Sequence, residues 1–218
     1  RVRAGGHILQ ALGDHGLGQN GRGGGAVAGD VVGLRGDFIH SAMPNIEVLN
    51  LTNASIVEGG DSYHRWNVNS GGVATIYQYD GPWNTENNVL TSHMFYNMPR
   101  LRSLALPNTI TRIGAYALAQ GSRPKYGMGR VDIPASVTTI DEYAFYYSGI
   151  EEVTVPAGVT RLERYTFYEC EYLKKATLPD GITFIGNSAF SECYALEDVN
   201  IPAQVETISE YAFYNNIV

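Results

Sequence analysis

Hydrophobic and polar positions in the second half of the chain follow one recurring pattern, L-x-x-V-x-I-P-x-x-V-x-x-I-x-x-x-A-F. Residues 150–170 read IEEVTVPAGVTRLERYTFYEC, 173–193 read LKKATLPDGITFIGNSAFSEC and 196–216 read LEDVNIPAQVETISEYAFYNN. The proline column is Pro107, Pro134, Pro156, Pro179 and Pro202, in steps of 27, 22, 23 and 23 residues. The aromatic column, Leu118, Phe145, Phe167, Phe190 and Phe213, moves in the same steps. Two independent columns with one spacing mark a true repeat, and a period in the low twenties predicts a solenoid.

Each part of the repeat has its own physical reading. L-x-x-V-x-I is rich in branched residues and alternates at its end, which predicts a short strand stacked in parallel on its neighbours. Proline follows at once and ends the strand, because it has no N–H for the ladder. V-x-x-I predicts a second extended piece. The x-x-x-A-F segment is expected to close the coil with a helical turn, alanine leaving space and phenylalanine filling the core. The predicted fold class is therefore an α/β solenoid, a right-handed superhelix with short parallel strands and about 23 residues per coil.

The pattern weakens towards the start. Residues 43–53, MPNIEVLNLTN, match 98–108, MPRLRSLALPN, at an offset of 55 residues, so one coil of 23 carries an insertion of 32. It falls within 57–90 and holds both tryptophans, Trp66 and Trp83, with Tyr63, Tyr77 and Tyr79. Residues 73–79 alternate well enough to predict a strand. Insertions in solenoids are extruded on one face, often the binding face. The competing reading is that these large aromatics pack the insertion onto the coils. A smaller insertion at 121–129, GSRPKYGMG, carries Arg123, Lys125 and Tyr126 and is expected to protrude as a turn.

Residues 1–42 read as an irregular N-terminal cap and 43–218 as one solenoid domain. The first 36 residues hold 12 of the 25 glycines. A short helix is expected over 7–12 and a weak strand over 26–34. Two motifs here are read as structural. Residues 16–21 fit G-x-G-x-x-G, but the glycines that follow make a poor helix start, and the nucleotide fingerprint needs one. Arg35-Gly36-Asp37 is an integrin-type tripeptide, yet Asp37 is better placed to cap a short helix over 38–43. At the other end the chain stops one residue before the next strand would open. That predicts continuation or self-association through an uncapped C-terminal edge.

Stacked coils turn repeat positions into columns. The third strand position reads Ser103, Arg130, Glu152, Lys175, Asp198, and the second reads Arg102, Gly129, Glu151, Lys174, Glu197. Charge alternates from coil to coil, and opposite charges across neighbouring strands contribute about 0.2–1 kcal/mol. Fixing the stacking register is the simplest role; a charged binding face is the second reading. Tyr116, Tyr143, Tyr165 and Tyr211 stand two residues before the aromatic slot, and Tyr96, Tyr146, Tyr168 and Tyr214 one after it. These rings suit packing between coils, and tyrosine is also favoured on recognition surfaces. Cys170 and Cys193 share a column of small or soft residues and read as buried free thiols, with a bridge between coils as the alternative.

Composition removes several function classes. The net charge of −7 opposes a nucleic-acid role. No apolar run is long enough to span a bilayer. Arg1–Gly6 lead into only a short apolar patch, so no basic–apolar–small leader is read. The five histidines, His7, His15, His40, His64 and His93, are scattered, with no H-E-x-x-H and no cysteine–histidine ligand spacing. No G-x-S-x-G occurs, and Glu151-Glu152 sit beside lysines, a poor setting for a raised carboxyl pKa. Neither catalytic residue, metal nor cofactor is expected.

The full motif, with its cysteine three residues after phenylalanine, resembles the BspA-like class of leucine-rich repeats. The resemblance is strong over about residues 90–216 and looser over 38–56. Leu118 for phenylalanine, Thr166 for alanine and the glycine-heavy start depart from it. The resemblance implies a bacterial, extracellular or cell-surface protein that adheres, through a protein or glycan ligand, to host or neighbouring cells or matrix. It carries over no catalytic residue. The candidate contacts are Tyr63, Trp66, Tyr77, Tyr79 and Trp83 in the insertion, and Arg102, Arg130, Glu152, Lys175 and Asp198 on the strands. The alternative is a spacer or stalk in a larger surface protein.

Overall fold

A computed structural model of the chain describes residues 25–26, 29–32, 47–63, 83–98, 100–121 and 128–216, with the backbone alone at 25–26, 29–32, 57, 59–63 and 83–85. The expected features over 7–12, 16–21, 35–37, 38–43, 73–79 and 122–127 lie outside these residues, as do Trp66, Tyr77 and Tyr79.

Among the described residues the strands are β1 (Gly25–Ala26), β2 (Gly29–Val32), β3 (Val48–Asn50), β4 (Ala54–Val57), β5 (Gly59–Tyr63), β6 (Trp83–Thr85), β7 (Val89–Leu90), β8 (Ser103–Ala105), β9 (Arg112–Ile113), β10 (Gly129–Val131), β11 (Thr139–Ile140), β12 (Ile150–Thr154), β13 (Arg161–Leu162), β14 (Lys175–Thr177), β15 (Phe184–Ile185), β16 (Asp198–Val199) and β17 (Thr207–Ile208). All but β5 and β6 pair in parallel. One ladder runs β1-β3-β8, crosses the Ala105–Asp132 bridge, and continues β10-β12-β14-β16. The second runs in sections, β2-β4, β7-β9-β11 and β13-β15-β17. The first ladder passes directly from Leu49 to Leu104, so the long insertion takes no place in it.

The prolines act as the strand chemistry predicts. Strands β8, β12, β14 and β16 stop before Pro107, Pro156, Pro179 and Pro202. The carbonyls of Pro156, Pro179 and Pro202 then accept from the N–H of Val159, Ile182 and Val205 at 3.0, 3.1 and 3.1 Å. Each proline therefore opens a tight turn that leads into the second ladder.

The closing segment corrects the sequence reading. No helix occurs among the described residues, so the α/β designation does not hold for them. The x-x-x-A-F segment and the residues just after it form a chain of turns, because one residue within the segment and one two residues beyond the phenylalanine are left-handed. Tyr143 and Tyr147 have φ of 59° and 55°, Tyr165 and Glu169 58° and 54°, Ser188 and Glu192 52° and 62°, and Tyr211 and Asn215 58° and 55°. In the coil of Tyr143, Ala144 N–H donates to Asp141, Tyr146 to Tyr143 and Ser148 to Phe145. The alternate amides leave the coil: Tyr143, Phe145 and Tyr147 donate to the carbonyls of Arg164, Thr166 and Tyr168 at 3.3, 2.9 and 2.9 Å. The same alternation recurs at Tyr165, Phe167 and Glu169, and at Ser188, Phe190 and Glu192. A left-handed non-glycine residue costs about 1–2 kcal/mol. A helix would hold these N–H groups within one coil; the left-handed residues aim them at the next, so the turn side is a third hydrogen-bonded ladder.

The core lies between the three ladders. Phe145, Phe167 and Phe190 are fully buried, and with Phe213 they stack at 5.1, 5.2 and 5.3 Å between centroids. Leu118 keeps the slot buried without a ring. Thr166 replaces the alanine at no polar cost, since its hydroxyl donates to Glu163 O at 2.8 Å.

Candidate functional site

The long insertion leaves the solenoid from a closed base. Asn88 N–H donates to Ile56 O at 2.9 Å, and Glu58 N–H donates to Asn87 Oδ1 at 2.8 Å. β5 and β6 then run antiparallel, with Gly59 opposite Thr85 and Tyr63 opposite Trp83, and an irregular register between. The chain therefore departs and returns at one point of the coil and continues as a two-stranded antiparallel stem. Tyr63 and Trp83 are Cα partners in the register of that stem.

The strand positions align as columns. Arg130 pairs with Glu152, Glu152 with Lys175 and Lys175 with Asp198 in Cα register. Their side chains do not all follow the register. Lys175 reaches Asp198, and Lys174 reaches Glu151 at 2.9 Å. Arg130 turns instead to Asp132 in its own coil at 2.6 Å, and Glu152 makes no ion pair among the described residues. Arg102 is exposed ahead of β8, its N–H donating to Glu47 O at 2.8 Å. Further ion pairs join coils near the second ladder: Arg112 holds Asp141 through two nitrogens, at 3.0 and 2.7 Å to Oδ2, and Arg164 holds Glu142.

On the turn side the left-handed backbone places the tyrosines in two rails. His93, Tyr116, Tyr143 and Tyr165 stack at 4.9, 4.7 and 4.8 Å with interplanar angles of 19°, 9° and 14°. Tyr146 stacks on Tyr168 at 5.6 Å. Edge contacts tie the rails together, Tyr143 to Tyr146 at 5.8 Å and Tyr165 to Tyr168 at 5.4 Å. Burial, then the Glu169 carboxylate, pushes the Tyr168 hydroxyl up to about 12. The Tyr143, Tyr146 and Tyr147 hydroxyls also move up, with burial the largest cause in each. These phenols are neutral at physiological pH and present hydroxyl groups, not charge.

Cys170 and Cys193 are free and buried, and their thiols donate to Phe145 O and Phe167 O at 3.1 Å each. Burial raises both pKa values, that of Cys193 to about 12. Among the described residues no group of three or more His, Cys, Asp or Glu is placed to hold a metal ion, and no helix is long and apolar enough to cross a membrane.

The sequence reading located these columns but missed a break in them. Ser188 and Ser191 occupy both tyrosine positions of a single coil, between Tyr165 and Tyr168 on one side and Tyr211 and Tyr214 on the other. The signal is present in the repeat alignment, as two columns that change residue type together.

A family model for the BspA type leucine rich repeat region matches residues 88–218, in six copies. A crystal structure of a leucine-rich repeat protein from Bacteroides ovatus ATCC 8483 is similar at 27% identity and TM-score 0.52, over 56% of this chain and 31% of that one. The chain thus spans about a third of that protein's length, 31%. The T. pallidum leucine rich repeat protein TpLRR aligns at 23% identity and TM-score 0.44, over 52% of each chain. The pneumococcal vaccine antigen PcpA aligns at 18% identity and TM-score 0.32, over 60% of this chain and 52% of that one. These last two likenesses are too distant to bear on function. No curated protein matches the chain.

Proposed function

The chain belongs to the BspA-type leucine-rich repeat family, and from that premise we propose that it is an extracellular or cell-surface binding module that mediates adhesion without catalysis. Its ligand is a protein or glycan of host or neighbouring cells or matrix. The contacts are Tyr63, Trp66, Tyr77, Tyr79 and Trp83 of the insertion, together with Arg102, Arg130, Glu152, Lys175 and Asp198 along the first ladder. The observation that carries this reading is the closed base. The Ile56–Asn88 hydrogen bond and the β5–β6 pairing close the base of the insertion, while the first ladder pairs β3 directly with β8. An element that the ladder bypasses is free to serve recognition.

A spacer reading draws on the ion pairs. Lys175–Asp198, Lys174–Glu151, Arg112–Asp141 and Arg164–Glu142 each join neighbouring coils, which is a structural use of those charges. One experiment separates the two. The chain and a variant joining Val57 directly to Asn88 are screened against immobilised matrix proteins and glycans. The binding module loses its ligand with the loop while its melting transition survives. Absence of saturable binding to every surface leaves the spacer.

A further inference from the structure

The charges on the outer face of the first ladder are arranged with a symmetry of their own. Arg130, Glu152, Lys175 and Asp198 are register partners on successive strands and all four are exposed. The residues that follow them on β10, β12 and β14, namely Val131, Val153 and Ala176, are buried. Strand alternation therefore turns this row to solvent and its aliphatic neighbours to the core. One residue earlier, Glu151 and Lys174 repeat the signs of Glu152 and Lys175.

The pairs made within the chain do not use these charges up. Lys175 and Asp198 pair yet stay 51% and 59% exposed, and Lys174 and Glu151 are also open to solvent. An ammonium has several donors and a carboxylate several acceptor sites, so each can take a second partner from outside. Glu152 makes no ion pair among the described residues.

We propose that this face binds a second copy of the same chain, turned about a two-fold axis that runs along the strands between β12 and β14. That rotation reverses the order of the coils and keeps each residue's position along its strand. Glu152 then meets Lys175 of the second copy, Glu151 meets Lys174 and Arg130 meets Asp198, and the symmetry makes every contact twice. Asp132, which holds Arg130 within its own coil, falls opposite the neutral Asn200, so the central four residues carry most of the attraction. The position of the axis is decisive. An axis through β12 sets Glu152 against itself and Arg130 against Lys175; one through β14 sets Lys175 against itself and Glu152 against Asp198. Both oppose like charges, which disfavours those pairings. The inference rests on the reading of these strand residues as contacts and names their partner; the insertion has no part in it.

Sedimentation velocity over a range of concentrations tests it. Each copy carries −7, a repulsion that about 0.1 M salt screens beyond about 10 Å while sparing contacts at the face. A dimer is expected under those conditions and is lost at about 1 M salt. Glu152→Lys and Lys175→Glu are each expected to weaken it about tenfold or more, and an equimolar mixture of the two variants to restore it, because each reversed residue then faces an opposite charge. A chain that stays monomeric throughout overturns the proposal. A dimer indifferent to salt and to both reversals overturns it in favour of another interface. Weakening by both reversals that the mixture does not repair overturns the two-fold pairing in favour of diffuse charge. If a reversal fails to fold, carbodiimide coupling in a mixture of light and heavy-nitrogen chain still decides: a Glu152–Lys175 crosslink of hybrid mass is expected, and its absence overturns the proposal. In the variant joining Val57 to Asn88 the dimer is expected to persist, so loss of the surface ligand and loss of the dimer are separate results.

Discussion

On the turn side, Tyr143, Phe145 and Tyr147 each send an N–H to the next coil, and the phenylalanine rings stack at 5.1–5.3 Å. On the strand side, Lys175 reaches forward to Asp198, while Arg130 folds back to Asp132 in its own coil. The two faces come from one repeat, yet only the turn side commits every coil to its neighbour through side chains as well as backbone. Exposed ion pairs contribute about 0–1 kcal/mol, and a charge with two acids in reach can change partner without moving the coil. Buried rings and left-handed amides have no such freedom. Register is therefore held mainly by the turn side, and the strand-side charges follow it.

The most severe way to break this contrast is to remove a buried ring. Phe167→Ala is expected to cost about 3–5 kcal/mol in denaturant unfolding, through the cavity left between Phe145 and Phe190. The cysteine column gives an all-or-none reading of the same packing. With both thiols buried and their pKa values raised, Cys170 and Cys193 are expected to stay unmodified by a disulfide reagent at neutral pH and to react fully in denaturant.

An alkaline titration reaches the tyrosine rails more gently. Tyr168 ionises near 10 in the unfolded chain and about 12 in the fold, so the folded state binds its proton more tightly. Its contribution is whole below pH 10 and is lost as pH climbs towards 12. Phenolate absorbance in that window is expected to lag behind a denatured control, and Tyr168→Phe to flatten the fall in stability. Smallest is the strand-side effect. A double-mutant cycle on Lys175 and Asp198 is expected to give a coupling of about 0.2–1 kcal/mol that shrinks in salt; a value near that of Phe167→Ala would erase the contrast between the faces.

Much of this was legible in the residues. The proline and phenylalanine spacings gave the coil, both parallel strand segments and the core, and the cysteines were readable as buried thiols from their small-residue column. The closing turn was not. Left-handed positions are signalled by glycine or asparagine, and here Tyr143, Tyr165, Ser188 and Glu192 adopt them, so the segment carried no mark against a helix. The strand columns aligned as read, from Arg130 through Asp198, but side-chain pairing depended on Asp132, which lies off the column. The joint change to Ser188 and Ser191 was visible as letters but had no meaning until the rails ending at Tyr165 and Tyr168 were known to stack.

Native-state amide hydrogen exchange tests most directly whether the turn side holds the coils. The amides of Tyr143, Phe145 and Tyr147, and of Tyr165, Phe167 and Glu169, all donate to the following coil. They are expected to exchange as slowly as those in the β12–β14 ladder, with opening free energies close to that of global unfolding. Rapid exchange at these turns, while β12 and β14 stay protected, would contradict the account and place the register in the strands.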